Sequence, residues 1–557
     1  MYRKLLLSVI SLMVLLAVSE LMGRLLERRY PPRPIDIGQS FEPESRAFVP
    51  AEGEPGWIVT NPLKSRSVYG MPVLHEQRFT LRKDNGSLRI VFLGASSVYA
   101  LNSFLPSLAE DLSNALGEDR SVEMINAGCS GFGSHRLVAV VAEVLGYDPD
   151  AVLVYTGNNE FIEKQQMDLV PLETLRLQKV LNHSALFRVL QEQRLRRWEQ
   201  RLRSPENRAL LAIARPERVY EGEFARDNIQ KRMKAYEGNL NTILTLCRRQ
   251  GVPVILGTVP SNLLRPVFPN EAYLNRYEPI WRMVQEERFE EAVVAGDRFL
   301  KDLPARHQSS PTENTIIRKL ARRFAVPLAD VDAAIRAVEP HGLPGETMFT
   351  DHCHLTEDGN RILMALYRDC LAGTLGVAPK LSDGPVHQQL GIEPDLCLAY
   401  RNMGGLFEMI GRRDAACAAY AKAFAVNPDD LQAIVKRGDC LKNSGMSAEA
   451  DALLEGALAR LQERETAEGD AGSVSRRLDS CVLLLNLGRR EDVVAVLSAL
   501  LSEHPDVGDG RIMLAWTLLS LGRKDEAVRQ AEAARELLGN TAEVAALIEA
   551  VMAVSSP

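Results

Sequence analysis

The chain has 557 residues, too many for one core, so two to four domains are expected. A composition of 46% hydrophobic and 25% charged residues excludes long disorder, and a formal net charge of -7 offers no basic face for nucleic acid. The eight cysteines are scattered without a CxxC, so neither a disulfide framework nor a zinc site is expected, although a single pair stays open.

In chain order, Arg3 and Lys4 precede an apolar run from Leu5 to Val18. A basic start before an apolar run is how an export signal begins. Two readings compete: a signal peptide cleaved after Ala17-Val18-Ser19, or an uncleaved signal-anchor reaching about Leu26. The leucine-rich pattern continues past the cleavage site, so residues 1–30 are taken as a transmembrane signal-anchor. Either reading puts the bulk of the chain outside the cytoplasm. Pro31-Pro32-Arg33-Pro34 then reads as an extended spacer, within a lead-in of few signals over residues 31–86.

From residue 87 the pattern sharpens. Arg89–Gly94, Val122–Ala127, Ala151–Thr156, Val252–Thr258 and Val326–Val331 are short apolar runs, most of them rich in β-branched residues. Such runs are what parallel strands buried on both faces look like. Helical patterns lie between them, at Phe104–Leu116 and Gly133–Leu145. Alternation of this kind predicts a three-layer α/β/α domain with a parallel sheet over residues 87–375. Two long helical insertions interrupt it, at about 162–250 and 261–325, the second carrying a helical hairpin around Trp281 to Val293. They are read as caps or as surface decoration.

After a linker at 376–394, residues 395–557 change character. Gly411, Gly445, Gly488 and Gly522 stand 34, 43 and 34 apart, with polar Glu463–Ser473 as the inserted piece. In the first unit, Tyr400, Gly404, Phe407, Gly411, Ala416, Tyr420, Ala423 and Pro428 fall in the register of tetratricopeptide (TPR) repeats. Gly404 and Ala416 are expected to face each other where two helices approach, with Tyr400, Phe407 and Tyr420 filling the space between units. About four units and a capping helix, Ala542–Val554, make an all-α solenoid, whose concave surface is the place for a protein partner.

Four blocks carry the chemistry, each at a predicted strand end or before the last helix. Gly94-Ala95-Ser96-Ser97 puts a serine at the carboxyl edge of the sheet, where ligands bind in open α/β folds. Asn126-Ala127-Gly128-Cys129-Ser130-Gly131 lets backbone N–H groups approach a ligand, and Gly157-Asn158-Asn159-Glu160 supplies an amide donor. Asp351-His352-Cys353-His354 spaces a carboxylate three residues before an imidazole, so that it can hold the proton-accepting tautomer. A metal at that block is set aside, because adjacent side chains point apart and no second ligand cluster is evident.

Taken together and in this order, the blocks resemble those of the SGNH (GDSL-like) hydrolases, over about residues 87–375. The resemblance is nearest to a bacterial membrane-anchored branch that carries TPRs, through Gly94-Ala95-Ser96-Ser97 and Tyr155-Thr156-Gly157-Asn158-Asn159-Glu160-Phe161. It implies Ser96 as nucleophile, His354 as base and Asp351 as the orienting carboxylate. The implied oxyanion hole is the N–H groups of Ser96 and Gly131 and the amide of Asn159. Ser97 is an alternative nucleophile, Gly128 an alternative to Gly131, and Ser97, Asn262 and Arg265 are candidate substrate contacts. Ala95 and Glu160 depart from the family's usual acids, and neither is a triad member. His352 reads as a solvent-facing loop residue that could also line the site. No cofactor or metal is implied.

The expected activity is hydrolysis of an ester or acyl group on an envelope-associated molecule, from a single-pass protein of the bacterial inner membrane facing the periplasm. Acyl transfer to a glycan by the same triad, and a TPR scaffold with a degenerate hydrolase domain, stand as alternatives.

Overall fold

The computed structural model describes residues 2–29, 46–62, 73–117, 120–161, 181, 183–190, 193, 226–268, 271–304, 306–377, 381, 384–467, 473–539 and 541–553. The chain divides into two compact units, Met1–Asp395 and Leu396–Pro557.

The first unit opens with helix α1 (Tyr2–Arg29). Among the described residues no helix is long and apolar enough to cross a membrane. This overturns the transmembrane signal-anchor and the single-pass inner-membrane placement built on it. Charge sets the limit: between Lys4 and Glu20 the uncharged run is fifteen residues. That is about 22 Å of helix, against ~30 Å for a bilayer's apolar core. Glu20 also has a structural task. Its carboxylate accepts from Ser184 Oγ at 2.7 Å and from the Ala185 and Leu186 N–H groups at 3.0 and 3.2 Å, capping the helical stretch 185–190. Those donors, Ala185 first, hold its carboxyl down at about 2. Gly23 is buried at the same crossing, where an added Cβ would stand 2.7 Å from Leu186 N.

The lead-in contains a three-stranded antiparallel sheet of β1 (Phe48–Pro50), β2 (Trp57–Thr60) and β3 (Arg78–Thr80). Strands of three and four residues are too short to show an alternation in sequence. The rings of Phe48, Phe79 and Tyr147 meet edge-on at centroid distances of 5.2–6.2 Å and join this sheet to the main core.

The main sheet is parallel throughout. Its strands are β4 (Ser87–Gly94), β5 (Ser121–Gly128), β6 (Ala151–Tyr155), β7 (Val254–Gly257) and β8 (Leu328–Ala329), in the order β5-β4-β6-β7-β8. All five fall on the predicted runs. Strand β8 is shorter than expected because Asp330 leaves the sheet to accept from Ala333 N, starting the next helix. A one-turn helix, α2 (Ser96–Tyr99), follows β4, and α3 (Leu105–Leu116) and α4 (Ser134–Val144) follow in turn. Next come α5 (Arg226–Arg249), the hairpin α6 (Glu271–Gln285) and α7 (Phe289–Asp302), then α8 (Pro311–Phe324), α9 (Val331–Val338), α10 (Glu357–Leu375) and α11 (Val386–Gln389). Helices α3 and α10 touch on one side of the sheet, and α4, α5 and α8 touch on the other, which makes the three layers. Helix α5, inside the first insertion, is part of a layer: Tyr236, Leu240, Ile243 and Leu244 are buried in the core. The rest of the expected helical stretch Leu186–Leu202 beyond Leu190, like the proline spacer, lies almost wholly outside the described residues.

Among the described residues the second unit is four helix pairs and a last helix. They are α12 (Leu396–Met409) with α13 (Arg413–Val426), α14 (Leu431–Asn443) with α15 (Ser447–Ala467), α16 (Ser473–Asn486) with α17 (Arg490–Glu503), α18 (Gly508–Ser520) with α19 (Lys524–Leu538), and α20 (Ala542–Ala553). The periodic glycines 411, 445, 488 and 522 have φ of 78°, 79°, 76° and 75°. Each is the left-handed residue that ends the first helix of its pair, which explains the period. Gly404 lies against the ring of Tyr420: an added Cβ would stand 2.4 Å from that ring. Tyr420 therefore packs within the first pair. The polar stretch Glu463–Ser473 was expected to be a loop, yet α15 continues through Ala467.

One disulfide, Cys417–Cys440, joins α13 to α14 and closes a sequence separation of 23. Loop-closure entropy for that length gives about 3 kcal/mol of stabilisation. A Cys417→Ser variant is expected to lose this much in chemical denaturation. An unchanged midpoint relative to the oxidised wild type would show that the bridge does not hold the repeats.

Candidate active site

Strand β4 lies inside the sheet with β5 on one side and β6 on the other. The direction of strand order reverses there, and in open α/β sheets the crevice at such a point takes the ligand. An added Cβ at Gly94 would stand 2.3 Å from a Val98 methyl and 2.4 Å from Tyr155 O. Only glycine permits that turn, and it delivers Ser96 at the start of α2. Gly128, at the end of β5, is equally constrained, its added Cβ falling 2.3 Å from Tyr99 N.

The loop before α10 comes to the same edge. Phe349 and Leu355 pair across its base, and Thr350 N–H donates to His354 O at 2.9 Å. Inside the loop Asp351 is the organiser. Its Oδ1 accepts from the Cys353 and His354 N–H groups at 2.8 and 2.7 Å, and its Oδ2 lies 2.7 Å from His354 Nδ1. The other ring nitrogen, Nε2, lies 2.8 Å from Ser96 Oγ. A proton on Nδ1 satisfies Asp351 and leaves Nε2 to accept from the serine.

The charges around this line are coupled. Burial works against a charged Asp351, but the His354 bond and the charges of His354 and His352 hold it well below the usual carboxylate range. Burial also opposes a thiolate at Cys353, yet the two flanking imidazoles bring it down to about 7. His354 is pushed up to about 11, foremost by the Cys353 charge, with burial opposing and the Asp351 bond adding. A Cys353 thiolate and a His354 imidazolium therefore sustain each other.

The remaining sequence candidates divide. Ser97 Oγ receives Asn158 Nδ2 at 3.4 Å and makes no bond to His354. Gly131 has a φ of 79°, which turns its peptide in the loop after β5. Asn159 is buried beside that loop and donates from Nδ2 to Phe132 O at 3.2 Å; an amide nitrogen has a second hydrogen to give. Asn262 and Arg265 are not placed as substrate contacts. Asn262 is fully buried: its Nδ2 donates to Asp351 O at 3.0 Å, its N–H to His352 O at 3.2 Å, and its Oδ1 caps Leu264 and Arg265. It pins the histidine loop. Arg265 is ion-paired with Glu346, so it offers no free cation to an anionic substrate. His352 does not face solvent either. Its side chain is 14% exposed, and its ring lies against that of His307 at 4.6 Å.

The departure at Glu160 has a physical explanation. Its buried carboxylate accepts from Ser134 N–H at 2.9 Å and Ser134 Oγ at 2.7 Å, capping the start of α4 from another segment. Asn158, in the same block as Asn159, also accepts from Ser309 N at 2.9 Å, and two contributors carried no sequence signal, His307 and Glu339. Glu339 is buried, accepts from Gly345 N and Met348 N at 2.9 and 3.1 Å and from the Thr347 hydroxyl, and so fixes the segment leading to Asp351.

Residues 398–471 and 463–543 match the tetratrico peptide repeat family, and the second unit is a TPR solenoid. No curated protein matches the chain. Among solved structures, it is similar to one provisionally described as an acylhydrolase of Bacteroides fragilis, at 13% identity over 53% of this chain and 91% of that one, with a TM-score of 0.29. A GDSL-like lipase from Bacteroides thetaiotaomicron aligns at 15% identity over 51% and 88%, with a TM-score of 0.27. A TPR protein of Thermus thermophilus aligns at 21% identity over 28% and 99%, with a TM-score of 0.19. Likenesses this distant do not bear on activity. What the first unit shows of itself is a parallel sheet in the order β5-β4-β6-β7-β8, with three of the four blocks at the carboxyl ends of its strands and the fourth in the loop before α10.

Burial raises the Glu339 carboxyl to about 7, against the three hydrogen bonds that favour its anion. A raised carboxyl stabilises the fold below the unfolded value and loses that contribution as pH climbs through the folded one. Stability should therefore fall by about 3 kcal/mol between roughly pH 4.5 and 7.5. Glu339→Gln should flatten this slope in denaturation curves taken across that window, and an unchanged slope would assign it to other groups.

Proposed function

We propose that the first unit is a serine hydrolase that cleaves an ester or acyl bond through an acyl-Ser96 intermediate. One observation carries the reading: Ser96 Oγ, His354 and Asp351 are joined in line, at 2.8 and 2.7 Å. A neutral serine becomes a nucleophile only beside a base, and the base works only if its second nitrogen is held. His354 takes the serine proton as Oγ attacks the carbonyl, then returns it to the leaving alcohol or amine. Asp351 keeps the ring oriented and stabilises the imidazolium. The tetrahedral oxyanion is received by the Ser96 N–H, which as the first residue of α2 has no partner within the helix, by Gly131 N–H and by Asn159 Nδ2. Water completes the cycle on the acyl-enzyme.

The repeat unit supports a second role, holding a protein partner. Its later helices line a groove of about 540 Å³ with Leu485, Arg490, Asp509, Met513, Trp516 and Glu543. Trp516 is 42% exposed there, an aromatic anchor of the kind that dominates protein interfaces.

Fluorophosphonate labelling of the full chain, read by peptide mass spectrometry, should place the probe on Ser96. Ser97→Ala should still label, whereas Ser96→Ala and His354→Ala should not, with turnover of short esters reduced roughly 10⁴-fold or more. A label on Ser97 would move the nucleophile, and none on folded protein would favour a scaffold. Asn159→Ala should lower kcat about 10²- to 10³-fold with little change in KM. A change confined to KM would take Asn159 out of the oxyanion hole.

A further inference from the structure

Beside the serine line lies a second cluster of chemistry-bearing side chains, and the proposed hydrolysis does not use it. We propose that His307, His352 and Cys353 form a binding site for a zinc-type divalent ion, set directly against the Ser96–His354–Asp351 line.

A metal at the Asp351–His354 block was set aside on the sequence because no second ligand cluster was evident there. The fold supplies the third ligand. His307, which precedes α8 in the second insertion, comes to the histidine loop so that its ligand atom, that of His352 and Cys353 Sγ all lie within 4.8 Å of one another. The two rings are tilted by 52° with centroids 4.6 Å apart, not stacked flat, so both can turn a nitrogen to one point. Two imidazoles and a thiolate are the donor set that suits zinc among the common divalent ions, and three protein ligands leave one position open.

Two further observations point to a ligand. His352 Nε2 is buried and has no hydrogen-bond partner, an arrangement that ligation would relieve. Cys353 is 1% exposed, so its Sγ can meet an ion only from within the cluster, and binding there would be coupled to release of the thiol proton. The cluster is also held in place from outside. Asn262 fixes Asp351 O and His352 O on one side, Gln308 Nε2 donates to Asn262 O at 3.3 Å, and Ser309 N–H is held by Asn158. Outer hydrogen bonds of this kind are what keep metal ligands in position.

A rival set exists among the described residues: Asp351, Cys353 and His354 also lie within 4.8 Å of one another. There the carboxylate and the imidazole are already bonded to each other at 2.7 Å, and an ion would break the serine line. The two sets share only Cys353, so His307 and His352 are what separate them.

The test uses the full chain, stripped with chelator and dialysed, then titrated with Zn²⁺ against a chromophoric competitor and separately with Co²⁺. Wild type should take up one ion per chain, and the cobalt form should show a thiolate-to-metal charge-transfer band. His307→Ala and Cys353→Ser should each weaken Zn²⁺ binding roughly tenfold or more, and Cys353→Ser should abolish the band. Cys353→Ser is a one-atom change and carries the test if His307→Ala does not fold. Ser96→Ala should bind as wild type and His354→Ala, which removes a neighbour of Cys353 Sγ, should still take up one ion, which keeps the outcome separate from that of the proposed hydrolysis. The proposal is overturned if wild type binds no tighter than Cys353→Ser, or if His354→Ala removes the ion while His307→Ala keeps it.

Discussion

The close approach at the carboxyl end of β4 is the constraint on which the first unit depends. Where Gly94 would carry a side chain, a Val98 methyl and Tyr155 O already occupy the space. The chain can therefore leave the central strand and enter α2 within two residues. A strand buried on both faces gives that turn a fixed position, because β5 and β6 pair with β4 through Gly94 itself. The serine is thus placed by the sheet and not by a loop. The histidine, by contrast, comes from a loop, and it needs Asp351 to hold backbone and ring at once.

This difference decides what could be read in the sequence. Strands β4 to β8 were legible because burial on both faces leaves a continuous apolar run, three of the blocks because glycine, serine and asparagine stand at the ends of those runs, and the fourth because its carboxylate stands three residues before its imidazole. The repeat glycines were legible because each must adopt positive φ. Contacts between segments left no such trace. Asn262 and Arg265 looked like substrate contacts from their position after β7, but their partners, Asp351, His352 and Glu346, lie more than eighty residues away. His307 sits between an arginine and a glutamine with no motif around it. Tyr420 was assigned to the space between repeats, yet it fills the gap that Gly404 leaves inside its own pair. The N-terminal run looked like a membrane anchor from its hydropathy. The carboxylate of Glu20, which cuts the run short, has its own partners at Ser184, Ala185 and Leu186, again far along the chain.

The insertion between β7 and β8 is more than decoration, as its buried charges show. Arg306 and Glu313 form an ion pair with both side chains fully buried, and the Arg306 guanidinium lies 4.3 Å from the centroid of the Phe161 ring. Desolvating two charges is expensive, and a hydrophobic pair of equal volume would usually be no less stable. What the pair adds here is direction. Glu313 also receives Ser310 N–H and Ser310 Oγ, so one carboxylate fixes the first turn of α8 and the arginine seven residues before it. Arg306 in turn presses on Phe161, next to Glu160, whose own carboxylate starts α4. The segment 306–313 is therefore tied to the block that supplies Asn158 and Asn159. Its residues His307 and Ser309 meet the site because that buried pair leaves the segment few other places to lie.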